Sequence, residues 1–436
     1  MSVELTVQAA AWFGPLPQGW SVKRLKDVAR IKGGSTPTAA EISDTQGVPW
    51  ATPTDFEDMR RSLGDTARKI SPAGLKEIGG KVARAGSVII SCRAPAGKVA
   101  MVSSPMAYNQ GVKNLERRNA GLLAEFLYYV LIAMRPAIED EARGATFQEI
   151  SATNLGRLFV PVPPAKTQLQ IARHLDGACA TFDQALRVSE DRKSALFELK
   201  ASIRERLALH GLDRLAVSHL SDIGWHGRIP KHWRIERIGN VYREAADHGH
   251  GHLPVLSVSI HTGISDRELA DEESGRKVSR SEDRGLYKRV KPGDLVYNQM
   301  RAWQGGFGVA KVHGLVSPAY VVARPKAPIE SRYLELLLRT LPATEEMRRR
   351  SRGIIDFRLR LYWDEFKDIC VALPPLDEQV EIADEVDRKL AEIDQQVELI
   401  DQSMALLREA KRSVIVEAVC GGIGRSKKAS AELSAA

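Results

Sequence analysis

From Pro374 onward, apolar residues recur at alternating steps of four and three: Val386, Leu390, Ile393, Val397, Ile400, Met404 and Leu407. Lys411 holds the next place, and Val414 resumes the series. This is a heptad seam, the pattern of a helix made to lie along another helix. The same pattern occurs earlier in the chain. Pro163-Pro164 stands where Pro374-Pro375 does, a shift of 211 residues, and the stripe runs Leu175, Cys179, Phe182, Leu186, Leu196, Ile203. Gln168 matches Gln379, Lys200 takes the place of Lys411, and Asp176/Asp387, Asp183/Asp394 and Gln184/Gln395 are identical pairs. Roughly a dozen of about forty aligned positions agree, which marks an internal repeat.

Each stripe covers roughly 45 residues, so each helix would reach about 68 Å at 1.5 Å per residue. A lone helix with one apolar stripe does not stay exposed in water. Two of them in one chain have a ready solution, which is to bury their stripes against each other. Ordinary core helices are the bland alternative, but heptads rarely run this long inside a globular domain.

The repeat extends beyond the helices. Trp12-Phe13-Gly14-Pro15-Leu16-Pro17-Gln18-Gly19-Trp20 matches Trp225-His226-Gly227-Arg228-Ile229-Pro230-Lys231-His232-Trp233. Farther in, Gly86-Ser87-Val88-Ile89-Ile90-Ser91 matches Gly293-Asp294-Leu295-Val296-Tyr297-Asn298, and each is followed by an Arg-Ala pair, Arg93-Ala94 and Arg301-Ala302. Val88–Ile90 and Leu295–Tyr297 read as strands opened by glycine turns. Residues 122–133 and 333–341 read as helices. Leu158–Val162 and Ile369–Leu373 read as closing strands, and the prolines after them open the long helices, where the first N–H groups are unpaired in any case. The chain therefore divides into an N-terminal extension (1–13), a first module (14–162), a long helix (163–210), a linker (211–221), a second module (222–373), a second long helix (374–422) and a small, polar tail expected to be disordered (423–436).

Composition adds limits. With 436 residues, 43% hydrophobic and 27% charged, the chain has room for two or three domains with proper cores. No apolar run approaches the length of a membrane span, and the first eleven residues do not read as a secretory signal. Four scattered cysteines, Cys92, Cys179, Cys370 and Cys420, fit a reducing cytoplasm and argue against a zinc site. A net charge of +8 suits a polyanionic partner such as nucleic acid.

No catalytic constellation stands out. There is no G-x-x-x-x-G-K-[ST] loop and no Asn/Asp-Pro-Pro-aromatic motif of an amino-methyltransferase. Glu365-Phe366-Lys367 has nuclease half-motif spacing without an acidic partner on a preceding strand. His248, His250 and His252 would project from one side of an extended chain; metal binding, phosphate contact and a solvated loop are all open to them. The remaining candidates form a binding surface. In the first module Arg93, Asn109, Gln110 and Lys113 put amides beside cations, with Arg143 before the last strand. In the second, Asn298, Gln299, Arg301, Trp303 and Gln304 do the same. Amides and arginines can read base edges in the major groove, although amides in loops also satisfy backbone groups. Arg348, Arg349, Arg350 and Arg352 suit phosphate neutralisation, which adds affinity without sequence choice.

With these motifs in hand, the chain resembles the specificity subunits of type I restriction–modification enzymes over nearly its whole length. The resemblance rests on Gly33-Gly34-Ser35-Thr36-Pro37, Val48 to Asp55, Ser91 to Gly97, Asn109-Gln110-Gly111, Gly293 to Gly305, Val316 to Tyr320, and both strand–Pro-Pro–x-x-x-Gln–helix junctions. It implies an α+β fold with a pseudo-two-fold internal repeat, in which two mixed α/β target-recognition domains are joined and separated by two long antiparallel coiled-coil helices. It also implies a non-catalytic role. Each domain would read one half of a split, asymmetric double-stranded DNA target. Methyltransferase subunits, usually two, would use S-adenosylmethionine on adenine N6, and a restriction subunit with ATP and Mg would translocate and cut. The alternatives are a nuclease or methyltransferase with an unrecognised site, and a coiled-coil regulator.

Overall fold

The computed structural model describes residues 13–14, 16–118, 122–143, 149–213, 215–260, 263–268, 284–353 and 359–422. Most of the expected extension and the expected tail lie outside them. The chain gathers into two compact units, residues 1–189 with 401–436, and residues 190–400. Each long helix contributes a part to each unit.

The first unit contains β1 (Ser21–Arg24), β2 (Ala29–Gly33), β3 (Ser62–Leu63), β4 (Val88–Ser91), β5 (Val99–Val102), β6 (Val112–Arg117), α1 (Ala124–Ala133) and β7 (Phe159–Val162), followed by the long helix α2 (Ala165–His210). Its main sheet has the order β2-β6-β4-β5-β3, with only the β3–β5 pair parallel. A second five-stranded sheet is built from short strands between residues 42 and 108. The second unit contains β8 (Arg234–Arg237), β9 (Tyr242–Glu244), β10 (Leu295–Asn298), β11 (Phe307–Val309), β12 (Tyr320–Pro325), α3 (Ser331–Leu338), α4 (Leu341–Arg350), α5 (Trp363–Lys367) and β13 (Cys370–Leu373), followed by the long helix α6 (Leu376–Val419). Its sheet has the order β9-β12-β10-β11, all antiparallel.

The strand order β2-β6-β4-β5 of one unit is thus repeated as β9-β12-β10-β11 in the other. The central strands β4 and β10 are buried at every residue, as their unbroken apolar runs require. Each follows a glycine in the left-handed region, Gly86 at φ +82° and Gly293 at φ +89°, where a side chain would be strained. The closing strands pair back to the opening ones: β7 with β1 in the register Ser21↔Val162, and β13 with β8 in the register Arg234↔Leu373. The helix expected over 333–341 starts earlier, at Ser331, and stops at Leu338. A new helix then opens at Leu341, with Thr340 extended before it and Pro342 in its first turn.

After each closing strand comes the Pro-Pro pair and then a buried glutamine. Gln168, 1% exposed, accepts a hydrogen bond from the Leu123 N–H (2.8 Å) and donates one to the Pro163 carbonyl (2.8 Å). Gln379, also 1% exposed, accepts from the Glu330 N–H (3.0 Å) and donates to the Pro374 carbonyl (2.9 Å). Leu123 and Glu330 are the residues that precede α1 and α3, so the two junctions use equivalent groups.

The long helices pack together within each unit. In the first, Ile171, Leu175 and Cys179 of α2 share one core with Ile415, Ala418 and Val419 of α6; Phe182 and Leu186 are partly exposed. Lys411 is buried in the seam, with its ammonium 2.6 Å from Asp183 and 3.2 Å from the Met59 carbonyl. Met59 itself sits in the left-handed region at φ 54°, and its carbonyl also accepts from the Tyr128 hydroxyl at 3.3 Å. In the second unit, Leu207, Ala208 and Leu209 of α2 share a core with Ile382, Val386 and Leu390 of α6. Ile393 and Ile400 are buried, and Leu196 and Val397 are half-buried. Lys200 pairs with Asp394. Both lysines that interrupt the heptads therefore face an aspartate of the other helix. In the first unit Met404 is buried and Leu407 half-buried.

The second unit places a histidine where the first has a core phenylalanine. Phe13 belongs to the first unit's core. Its counterpart His226 is 3% exposed, lies 4.9 and 6.4 Å from the Trp225 and Trp233 rings, and has neither ring nitrogen hydrogen-bonded. Burial pushes its pKa down to about 4. The unfolded chain takes up that proton near pH 6.5 and the folded chain does not, so stability falls as pH drops below about 6.5 and the loss is complete near pH 4. The expected loss from this group at pH 5 is roughly 2 kcal/mol. Unfolding of wild type and His226→Phe at pH 7.5 and 5.0 should show a smaller acid penalty in the variant.

Candidate nucleic-acid interface

In the first module the Gly33–Pro37 loop lies on the segment Tyr108–Gln110. The Ser35 N–H donates to the Tyr108 carbonyl at 3.0 Å, and a Cβ on Gly34 would collide with the carbonyl oxygens of Tyr108 and Asn109. This close approach presents a row of polar groups. The Lys81 ammonium is 2.8 Å from the Ser35 hydroxyl, and the Thr36 hydroxyl donates to the exposed Gln110 carboxamide. Beneath them, the Trp50 indole donates to the Ser35 carbonyl at 3.2 Å, and the Arg68 guanidinium lies 5.6 Å over the Trp50 ring.

The predicted residues of this module have different fates. Asn109 turns its side-chain oxygen inward to accept from the Gly111 N–H at 2.9 Å, an Asx turn that shapes the loop. Lys113 is 8% exposed, with its ammonium on the Gln110 carbonyl (2.8 Å) and near Glu149 (3.4 Å). Arg93 is exposed and pairs with Glu149 at 2.7 Å. Burial pushes the Glu149 carboxyl up, but the Arg93 hydrogen bond and the charges of Lys113 and Arg93 outweigh it and hold the group below its ordinary value. Arg93 and Lys113 are thus brought together around one carboxylate, and the Gln110 backbone carbonyl joins them through Lys113. Arg143 is exposed at the end of the helix Arg135–Arg143, 3.3 Å from Asp140; its neighbour Gly144 lies outside the described residues.

In the second module the loop after β10 carries the candidates. Asn298 is 5% exposed and accepts from the Met300 N–H at 3.0 Å, the same Asx turn as Asn109. The Gln299 carbonyl accepts from the Leu361 N–H at 2.9 Å. The Trp303 indole donates to the Met300 carbonyl (3.1 Å), Arg301 reaches Gln304 at 3.5 Å, and the Arg348 guanidinium lies 5.7 Å over the Trp303 ring. This stacking orders Arg348 at an exposed position. The rest of the arginine run turns back onto the protein. Arg349 and Arg350 both pair with Glu346, whose carboxylate is buried, and Arg352 pairs with Glu365. The structure therefore brings Arg301, Trp303, Gln304 and Arg348 together, and Arg349, Arg350 and Arg352 each have a carboxylate partner.

The other motifs are also placed. Glu365 is used by Arg352, and Phe366 is in the core. The His248 Nδ1–H donates to the Tyr287 carbonyl at 3.2 Å, and His250 Nε2 is 3.0 Å from Asp247. Among the described residues, no group of three or more His, Cys, Asp and Glu is arranged to hold a metal ion. Sequence reasoning passed over Ser35, Thr36 and Lys81. The Gly-Gly-Ser-Thr-Pro run was visible as a loop, but nothing in it announced that Lys81 would come to rest there.

A family model, the type I restriction modification DNA specificity domain, matches residues 17–189. The specificity subunit of the type I restriction enzyme MjaIX from Methanocaldococcus jannaschii is 27% identical over 237 residues, 53% of each chain. That of EcoBI from Escherichia coli is 24% identical over 349 residues, 73% of this chain and 70% of the relative. Residues 17–189 thus match the DNA specificity domain of type I restriction–modification enzymes, and the chain is similar to their specificity subunits. The match spans about half the length of the first two curated relatives, 53% and 44%. The fold is also that of a solved chain from work on the complex assembly and conformational transition of the type I R-M system, which superposes with a TM-score of 0.63 at 16% identity, covering 94% of this chain and 99% of that one. No helix among the described residues is long and apolar enough to cross a membrane.

The contrast between Arg348 and Lys113 yields a test. Arg348→Ala should weaken duplex DNA binding and reduce the slope of log affinity against log salt by about one, with little change in melting temperature. Lys113→Ala removes a buried, paired ammonium and should lower the melting temperature instead. Salt-dependent fluorescence anisotropy with thermal denaturation separates the two.

Proposed function

We propose that this chain is the DNA-reading, non-catalytic subunit of a type I restriction–modification complex. Each module reads one half of a split, asymmetric duplex target, and partner subunits carry out the chemistry. S-adenosylmethionine serves the methyltransferase subunits, two per complex, which methylate adenine N6. ATP and Mg serve the restriction subunit.

The observation that carries this reading is the duplication. Two units share a strand order and a strand–Pro-Pro–Gln junction, yet present different loops: Ser35, Thr36, Lys81 and Gln110 in one, and Arg301, Trp303, Gln304 and Arg348 in the other. Repeated scaffolds with unlike loops suit two readers of unlike half-sites. The helices α2 and α6, 46 and 44 residues long, act as a stiff spacer that fixes the unread gap. Half-sites about one DNA turn apart, roughly 34–36 Å, present the same groove to one side of a protein, and a paired-helix spacer enforces such a separation where a flexible linker cannot.

Reconstitution tests the reading. The purified chain alone should bind DNA and modify nothing with Mg²⁺ and S-adenosylmethionine; adding the cognate methyltransferase subunit should produce adenine methylation at a split motif, read out by methylome sequencing. Methylation by this chain alone would overturn the assignment. Deleting one heptad from each long helix, around Leu186 and around Val397, should alter the accepted gap and leave both half-sites unchanged; an unaltered gap would remove the spacer role.

A further inference from the structure

A spacer of fixed length does not by itself fix where the modules point. A module of this size has an arm of roughly 30 Å, and a base-pair step is about 3.4 Å. Rotation of about 6° where a module meets its long helix therefore displaces its DNA-reading surface by about one base pair. Something must hold that angle if the gap is to be read.

Each unit carries a two-point attachment at this place. The first point is the buried glutamine. Gln168 ties the start of α1, through the Leu123 N–H, to the Pro163 carbonyl at the start of α2, and Gln379 ties the start of α3, through the Glu330 N–H, to the Pro374 carbonyl. A backbone N–H only donates and a carbonyl only accepts, so the orientation of each carboxamide is unambiguous. The second point lies eight residues on, about 12 Å along the helix. Asp176 accepts from the Tyr129 hydroxyl of α1 at 2.6 Å and pairs with Arg61. Asp387 pairs with Arg332 of α3 at 3.0 Å. One point would be a pivot, whereas two on the same pair of helices fix a direction. The glutamines and aspartates recur at identical repeat positions although their acidic-side partners differ, Tyr129 with Arg61 against Arg332.

We propose that Gln168 with Asp176, and Gln379 with Asp387, are positioning residues that set the angle between each module and the helix pair, and so make the complex selective for one gap length. This rests on the DNA-spacing role proposed above. The glutamines touch no DNA; they act through the modules they hold.

The test uses the full chain assembled with its methyltransferase subunits, on duplexes that differ only in gap length. For wild type, the ratio of the methylation rate at the preferred gap to the rate one base pair away is measured first. In Gln379→Met and in Gln168→Met this ratio should fall by about tenfold, the equivalent of one lost hydrogen bond's restraint, while the half-site sequences stay the same. Gln379→Glu keeps the acceptor for the Glu330 N–H and loses the donor to Pro374, so its ratio should fall between. A uniform loss of rate at every gap, with the ratio intact, overturns the proposal and leaves the glutamines a purely structural role. Should the glutamine variants fail to assemble, the double variant Asp384→Ala with Asp387→Ala decides, because Arg332 pairs with both aspartates of α6, and an intact ratio there overturns the proposal equally. A wild type that accepts all gaps alike sinks the spacing role itself, whereas a selective wild type with equally selective variants sinks only the clamp.

Discussion

The structure depends on the burial of a single apolar stripe along each of two long helices. Such a stripe cannot face water over a whole helix, and in both units it is covered in the same two ways: by the other helix, and by the core of the module that the helix end enters. Ile415, Ala418 and Val419 sit in the same core as Phe126 and Ile138, and Leu207, Ala208 and Leu209 sit with Tyr333 and Val371. The helices are therefore structural members of the modules as well as connectors.

Purely apolar seams would pair strongly but loosely in register, because a slide of one heptad restores most contacts. The two polar interruptions of this seam are each met by a carboxylate of the other helix. Lys411 meets Asp183 and the Met59 carbonyl, and Lys200 meets Asp394. A slide by seven residues would bring Asp176 or Glu190 to Lys411 and Asp387 or Asp401 to Lys200, so these carboxylates offset the cost of placing an ammonium in the seam without selecting one heptad register. In the Lys411 contact the lysine is buried while Asp183 stays partly exposed, so water reaches the pair from the aspartate side.

Much of this was legible in the chain. The heptads from Val386 to Leu407, the repeated Pro-Pro–Gln junction and the matched Lys and Asp positions are all local or periodic signals. What they do in three dimensions was less so. The lysines read as interruptions of the stripe, since a sequence does not state which aspartate they will face. Gln168 and Gln379 read as markers, because their partners, Leu123 and Glu330, lie 45 and 49 residues away. The candidate interface was the least legible part. Asn109, Asn298 and Gln110 belong to residue types that serve loops and base edges equally well, and only the backbone path shows that the two asparagines close Asx turns. Lys113 carried the right charge for a DNA contact, but its strand delivers it to Glu149 and to burial. Lys81 could not be seen at all, because a fold rather than a spacing brings it to Ser35.

The way α6 is shared has a consequence for biosynthesis. The second unit is continuous in sequence, from residue 190 to 400, whereas the first needs residues from both sides of it. During translation the first unit is made early but stays short of Ile415, Ala418 and Val419, with Leu175 and Phe126 lacking part of their cover, until the end of α6 has emerged. The usual order, in which the N-terminal domain closes first on the ribosome, is reversed: the later-made unit can consolidate while the earlier one waits, so its unfinished core is the surface that chaperones would meet.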